Sequence, residues 1–396
     1  MYNFAKRMEE VSASAVREII KLMSNPEIIS FGGGSPANES FPIDTIQDII
    51  DKALRENGNQ ILQYGVTEGW KALREAYLEH IAYPKGISAS LENVITITGA
   101  TQGIQLISDV FLDPGDVVLV ESPTFLSTLM VFNKNFIKCV PVETDEHGMI
   151  MEDLEEKIKR YHPKMLYSIP TFQNPTGITL PLERRKKIAE LASTYNMMVM
   201  EDDPYGDLRY RGEALPPIKS FDQTGHVILL NSFSKTISPG LRVGTVLAEP
   251  EIIQKLIIAK QCADTHTTNL TQVVCAEFLN RGLLPGHLKA IAPIYSARMD
   301  AMLEGIKNYF PTGTQYIQPE GGLFIWAELP GEPDMQALLE KAVRDCKVAF
   351  VPGKPFFVNP EDGRKSLRLN FSSNTPERIE EGMKRLGGVL SGIEIS

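Results

Sequence analysis

Residues 232–244 read SFSKTISPGLRVG and lie between two apolar runs, HVILLN before them and GTVLAEP after. A lysine at the end of such a run has two uses. It snorkels its ammonium to the surface, which on its own is the commoner case, or it is a desolvated amine that can form an imine with a carbonyl. The neighbours of Lys235 shift that balance. Ser232 offers a hydroxyl and Arg242 a guanidinium, both suited to a phosphate dianion, and the Pro239-Gly240 turn lets the chain come back close to them. Together they describe the site of a phosphate-bearing carbonyl cofactor, for which pyridoxal 5′-phosphate is the obvious candidate.

Such a cofactor needs an acid elsewhere in the chain, because its pyridine nitrogen must stay protonated to act as an electron sink. Asp202 and Asp203 directly follow the apolar run MMVME. A buried carboxylate there requires a partner, although Asp-Asp-Pro is also an ordinary strand-end turn. Three residues beyond Asp202, Tyr205 can place its hydroxyl on the ring's phenolate oxygen, or it is simply a packed tyrosine. Asn174, in the turn FQNPTG, can donate to the same oxygen. The segment ITGATQG joins a strand-like run to a helix-like one, so the N–H groups of Ala100 and Thr101 face any anion at that helix start. Phe125, in ESPTF, can lie flat on a heteroaromatic ring or serve as core.

The elements that must position these residues follow from the pattern of apolar runs. From Asn93 to Pro250, NVITIT, DVVLVE, FIKCVPV, KMLYSIP, MMVME, HVILLN and GTVLAE alternate with helix-like segments. That alternation predicts an α/β domain with a mainly parallel seven-stranded sheet buried on both faces by helices. Ligands in such folds sit beyond the carboxyl ends of the strands. From about Gly282 a long helical segment, the run GGLFIWAEL, KVAFVP and SLRLNF read as a smaller α+β domain. The expected division is residues 1–45 as a segment packing with the small domain, 46–285 as the large domain and 286–396 as the small one. With 396 residues, 43% hydrophobic and 23% charged, the chain is long enough for more than one core. Its net charge of −10 disfavours a nucleic-acid surface, and it has neither a signal peptide nor a membrane-span run, which predicts a cytoplasmic protein. Four cysteines without C-x-x-C spacing disfavour a zinc site, and no metal is expected.

Taken in order, ITGATQG, ESPTF, FQNPTG, MEDDPYG, SFSKTISPGLRVG and SLRLNFS resemble the fold-type-I pyridoxal-phosphate aminotransferases of class I/II. The likeness is strongest to the branch with 2-aminoadipate, kynurenine/aminoadipate and aromatic or branched-chain aminotransferases, and it runs from ISFGGGSPANESFP to RLNFSS. It implies that Lys235 is the Schiff-base lysine and proton shuttle, Asp202 the pyridinium partner, Tyr205 and Asn174 donors to the ring hydroxyl, and Phe125 the stacking aromatic. It places Ala100, Thr101, Ser232 and Arg242 on the phosphate. Tyr64, in LQYGVTEG, falls on a tyrosine that reaches the neighbouring subunit's phosphate, which implies a homodimer with shared active sites. Arg368 and Asn174 fall on the clamp for the substrate α-carboxylate, and Gly34 on backbone that passes close to the substrate.

Two positions bear on the details. Ala100 stands where many relatives of this kind carry serine, so one phosphate hydroxyl is missing. Arg17 occupies the place of a substrate-facing arginine that would meet the distal carboxylate of glutamate or 2-aminoadipate, and it is equally an ordinary solvated helix arginine. VAFVPGKPFF resembles a mobile lid whose Phe356 and Phe357 suit apolar or aromatic side chains. The expected activity is transfer of an amino group from an L-amino acid to a 2-oxo acid such as 2-oxoglutarate. A β-lyase on the same fold is the alternative. A ligand-sensing regulator domain is a further one, but the motifs begin by about Ile29 and leave no room for a DNA-reading domain.

Overall fold

The structure is a computed structural model that describes residues 2–8, 25 and 27–391. Its largest sheet holds seven strands, in the order Val94–Ile97, Gly244–Leu247, Val227–Ser232, Met198–Asp203, Met165–Ser168, Val117–Glu121 and Lys138–Val142. These are the seven apolar runs of the sequence. Most of their residues are buried, as expected when helices cover both faces of a sheet. Six strands are mutually parallel, and only Gly244–Leu247 runs against its two neighbours. The carboxyl ends of the six therefore share one edge, and the chain enters Gly244–Leu247 from that same edge.

Helices close the two faces. Ala100–Phe111 buries Ile104, Leu106 and Ile107, and Leu182–Tyr195 buries Ile188, Leu191 and Ala192, both at helical spacing. The first helix starts at Gly99, whose φ of 85° and ψ of 159° are almost confined to glycine.

A second sheet, Gln315–Tyr316, Phe324–Glu328, Ser366–Asn370 and Val351–Pro352, is antiparallel throughout. Its Ile325, Leu367 and Leu369 belong to the same apolar cluster as Met302 and Ile306 of the Leu283–Tyr309 helix and Ile379 and Met383 of the Pro376–Leu390 helix, two helices that approach closely because Gly305 lies against Met383. Ile29–Ser30 pairs in parallel with Val348–Ala349, so the segment before residue 45 is joined by backbone to the C-terminal part of the chain. One apolar cluster runs from Ile95 and Val120 of the large sheet to Phe324 and Leu369 of the small one, which fixes the two sheets against each other. Among the described residues, no helix is long and apolar enough to cross a membrane.

Candidate active site

The shared strand edge gathers most of the residues singled out in the sequence. Thr98 to Thr101 follow Val94–Ile97, Phe125 follows Val117–Glu121, and Asn174 follows Met165–Ser168. Asp202 is the penultimate residue of the Met198–Asp203 strand with Tyr205 just beyond it, and Lys235 lies three residues past Ser232. Arg242 reaches the same edge for a different reason, since it lies two residues before the one antiparallel strand. Arg368 arrives from the small sheet, in the middle of Ser366–Asn370.

Arg368 joins the two sheets. Its Nη1 donates to Asn174 Oδ1 at 3.0 Å, and its Nη2 donates to the carbonyls of Gly32 at 2.8 Å and Gly33 at 3.3 Å. A guanidinium can only donate, so the Asn174 oxygen must face it. That leaves Asn174 Nδ2 to donate to the Tyr205 hydroxyl at 3.3 Å, and the proton of that hydroxyl is free for another acceptor. Phe324 and Phe356 present their rings to the guanidinium, with centroids at 4.3 and 5.0 Å. Arg368 is 3% exposed, burial lowers its pKa to about 10, and its Nε has no partner among the described residues. A planar donor of this kind, partly unsatisfied in an apolar surround, suits a carboxylate.

Lys235 Nζ donates to the carbonyl of Gly34 at 2.6 Å. Desolvation, with the nearby positive charges of Arg368 and Arg242, lowers its pKa to about 8. A large fraction of it is then a neutral nucleophile in mildly alkaline solution. Gly34 passes close to the Phe324 ring, where a Cβ would stand 3.0 Å from Cζ.

Asp202 lies opposite this amine chemistry in character. It is 2% exposed, and burial raises its pKa to about 7, against a hydrogen bond from Tyr167 and with Asp203 adding to the rise. The Tyr167 hydroxyl donates to Oδ2 at 2.8 Å, whereas Oδ1 has no partner among the described residues. A buried oxygen left that way costs about 1–3 kcal/mol, so its position calls for a donor, ideally a cationic one.

The phosphate-type groups surround one turn. Arg242 Nη2 donates to the carbonyl of Thr98 at 3.1 Å, and a Cβ on Gly99 would lie 2.3 Å from that same nitrogen. Ser232 Oγ accepts the Ser234 N–H at 3.2 Å and keeps its own proton for an anion. Ala100 opens the helix and Thr101 is exposed in its first turn. Phe125 is half-buried at the start of the Leu126–Lys134 helix. Pyridoxal phosphate fits this set: an orphaned acid for its ring nitrogen, a depressed lysine for its carbonyl, and a guanidinium, a hydroxyl and a helix start for its phosphate.

Two residues stand apart from the cluster. Tyr64 is 83% exposed, edge-on to His266 at 6.0 Å, with no side-chain hydrogen bond to the others among the described residues. Arg17 lies outside the described residues.

Sequence reasoning missed the supports. Tyr167 was visible only as a polar atom inside a buried run, whose hydroxyl must find a partner. Glu121 accepts from Ser168 Oγ at 2.9 Å, the Ile169 N–H at 3.2 Å and Gln173 Nε2 at 3.2 Å, while Gln173 Nε2 also donates to the Pro123 carbonyl at 2.8 Å. This ties the turn bearing Asn174 to the turn bearing Phe125. No spacing rule signals it, because the partners lie about fifty residues apart.

The sequence matches the family described as aminotransferase class I and II over residues 26–386. It is 42% identical to aromatic-amino-acid aminotransferase 1 of Thermococcus litoralis, over 98% of this chain and 94% of that one. It is 40% identical to 2-aminoadipate transaminase of Thermus thermophilus, over 98% and 97%. Among solved structures, the kynurenine aminotransferase of Pyrococcus horikoshii, crystallised with PMP, KYN and KYA, superposes with a TM-score of 0.94 at 40% identity, covering 98% of this chain and 96% of that one.

Proposed function

Because the chain belongs to the class I and II aminotransferases, which work with pyridoxal 5′-phosphate, we propose that it transaminates L-amino acids with aromatic, 2-aminoadipate-like or branched apolar side chains, with a 2-oxo acid such as 2-oxoglutarate as acceptor. The orphaned Oδ1 of buried Asp202 carries the cofactor half of this reading. When bound, the cofactor supplies a carbonyl that takes the amino group and a cationic ring that absorbs the electron pair left at the substrate α-carbon.

The rest falls to the chain's own residues. Lys235 Nζ, neutral above about pH 8, would take the proton from the substrate α-carbon and deliver it to the carbon of the cofactor's carbonyl. Asp202 Oδ1 accepts the ring N–H and keeps it in place. Tyr205 and Asn174 would donate to the ring oxygen, and Phe125 would pack against the ring. Ser232, Arg242 and the N–H groups of Ala100 and Thr101 hold the phosphate. Arg368, with Asn174, holds the substrate α-carboxylate, and Gly34 lines its path. Phe356 and Trp326, both buried, meet edge to face at 5.8 Å, and half-buried Phe357 lies against the same indole at 6.1 Å, so Phe357 is the ring of this stretch proposed for large donor side chains. Arg17 is proposed for a distal carboxylate, on the strength of the similarity to 2-aminoadipate transaminase.

The proposed assembly is a cytoplasmic homodimer in which Tyr64 of each subunit completes the other's phosphate site. Its exposure, with Leu62 at 76% and Val66 at 61% beside it, supports that. The division into residues 1–45, 46–285 and 286–396 belongs to the same reading, its second boundary falling in the first turn of Leu283–Tyr309.

The test is an absorbance scan of the purified protein with pyridoxal phosphate, titrated with L-glutamate and then with 2-oxoglutarate. The band of the lysine-bound cofactor should disappear with the amino acid and return with the oxo acid, and Lys235→Ala should lack it. A band that binds and never shifts across a panel of amino acids would sink the transaminase reading.

A further inference from the structure

Behind the turn proposed to face the phosphate lies a polar network that none of the assigned site roles uses. Thr98, just before Gly99, is held at every polar group. Its N–H donates to Gln102 Oε1 at 2.7 Å, its Oγ1 donates to Asp264 Oδ2 at 2.8 Å, and its carbonyl accepts from Arg242 Nη2 at 3.1 Å. Gln102 Nε2 donates to Asp264 Oδ2 at 2.6 Å. Lys260, its side chain fully buried, donates to Gln102 Oε1 at 2.9 Å and to the two Asp264 oxygens at 2.8 and 3.0 Å.

The convergence is on Asp264. It sits just past the Pro250–Ala263 helix and ties that helix to the first turn of Ala100–Phe111, while supplying the counter-charge for a buried ammonium. Removing its charge would leave Lys260 uncompensated and weaken the anchors of the Thr98 hydroxyl and the Gln102 amide, leaving Thr98 Oγ1 with Thr267 Oγ1 at 3.1 Å. Thr98 is the residue whose carbonyl aims Arg242, and its successor holds the glycine-only conformation from which the helix N–H groups emerge. Position 100 has no hydroxyl, so beside Ser232 anion binding here depends on the aim of the guanidinium and the backbone donors.

We propose that Asp264, acting through Thr98, Gln102 and Lys260, is a positioning residue for the cofactor phosphate. This rests on the assignment of Arg242 and the Gly99 turn to that phosphate. The measurement is a titration of the full-length apoprotein with pyridoxal 5′-phosphate and, separately, with pyridoxal, which lacks the phosphate. Asp264→Asn should weaken the phosphorylated form about ten-fold or more and pyridoxal by no more than about two-fold, so the preference for the phosphate collapses. Gln102→Met should move the preference in the same direction and less far, and it carries the test if the charge change prevents folding. A loss shared equally by both ligands, or an unchanged preference, overturns the proposal. Arg242→Gln separates the two levels of the argument. If it also leaves the preference intact, the phosphate assignment fails and the role of Asp264 fails with it. If Arg242→Gln abolishes the preference and neither Asp264→Asn nor Gln102→Met does, the network inference alone falls.

Discussion

At the scale of single residues, the site is organised by groups kept out of their ordinary protonation states, and Asp202 makes that measurable. Its folded pKa of about 7 lies above the ordinary 3.8, so between those values the folded apoprotein holds a proton that the unfolded chain has released. Stability falls as pH rises through that window and levels off above pH 7, with a total cost on the order of 4 kcal/mol. Asp202→Asn removes this component. The thermal midpoint of the apo variant, relative to wild type, should therefore climb by several degrees between about pH 5 and about pH 8. A difference independent of pH would show that Asp202 is solvated enough to ionise normally. Bound cofactor should shrink the effect, because a cationic ring nitrogen favours the ionised carboxylate.

At the scale of elements, the site depends on turns that deliver side chains to one sheet edge, and Gly99 is the most constrained of them. Its backbone conformation is almost confined to glycine, and a methyl group would meet Arg242 Nη2 at 2.3 Å. The arginine end can swing away, but only by leaving the Thr98 carbonyl. Gly99→Ala should thus lower the thermal midpoint through about 1–3 kcal/mol of backbone strain and also weaken pyridoxal-phosphate binding. Gly58, just past the break at Asn57 in the Ile43–Ile61 helix and with nothing within 4 Å of its would-be Cβ, is the control. Gly58→Ala should be neutral or stabilising by up to about 1 kcal/mol, with no effect on cofactor affinity. Equal behaviour of the two variants in melting and titration would remove Gly99 from the site. Elements of this kind were readable in the sequence wherever one physical signal dominated. Both faces of the inner large-sheet strands are buried, so they appear as unbroken apolar runs, while the edge strand Lys138–Val142 is only partly covered. Their order, and the reversal of Gly244–Leu247 that carries Arg242 to the site, left no local trace. Neither did the contact from Arg368 to Asn174, which closes over 194 residues of chain, nor the Asp264 network, whose members look like ordinary surface polar residues.

At the scale of the whole molecule, the remaining question is why a tyrosine expected at the phosphate stands 83% exposed on a single chain. In the proposed homodimer each phosphate site takes Lys235 and Arg242 from one subunit and Tyr64 from the other. Such sharing has a consequence that no single-chain site can imitate. Tyr64→Ala should bind the cofactor weakly in every site, and Lys235→Ala should be inactive in every site. Co-expressed, they form mixed dimers in which one site combines Lys235 of the first variant with Tyr64 of the second and is intact, while the other site carries both defects. With random pairing, half of the dimers are mixed and half of their sites are whole, so activity at limiting cofactor should reach roughly a quarter of wild type through a symmetric two-fold interface. Differently tagged subunits allow the mixed dimer to be purified and assayed alone. Activity in that fraction above the mean of its two parents establishes a site built across the interface. Activity equal to that mean would confine each site to one chain, and Tyr64 would then be an exposed aromatic with no part in the chemistry.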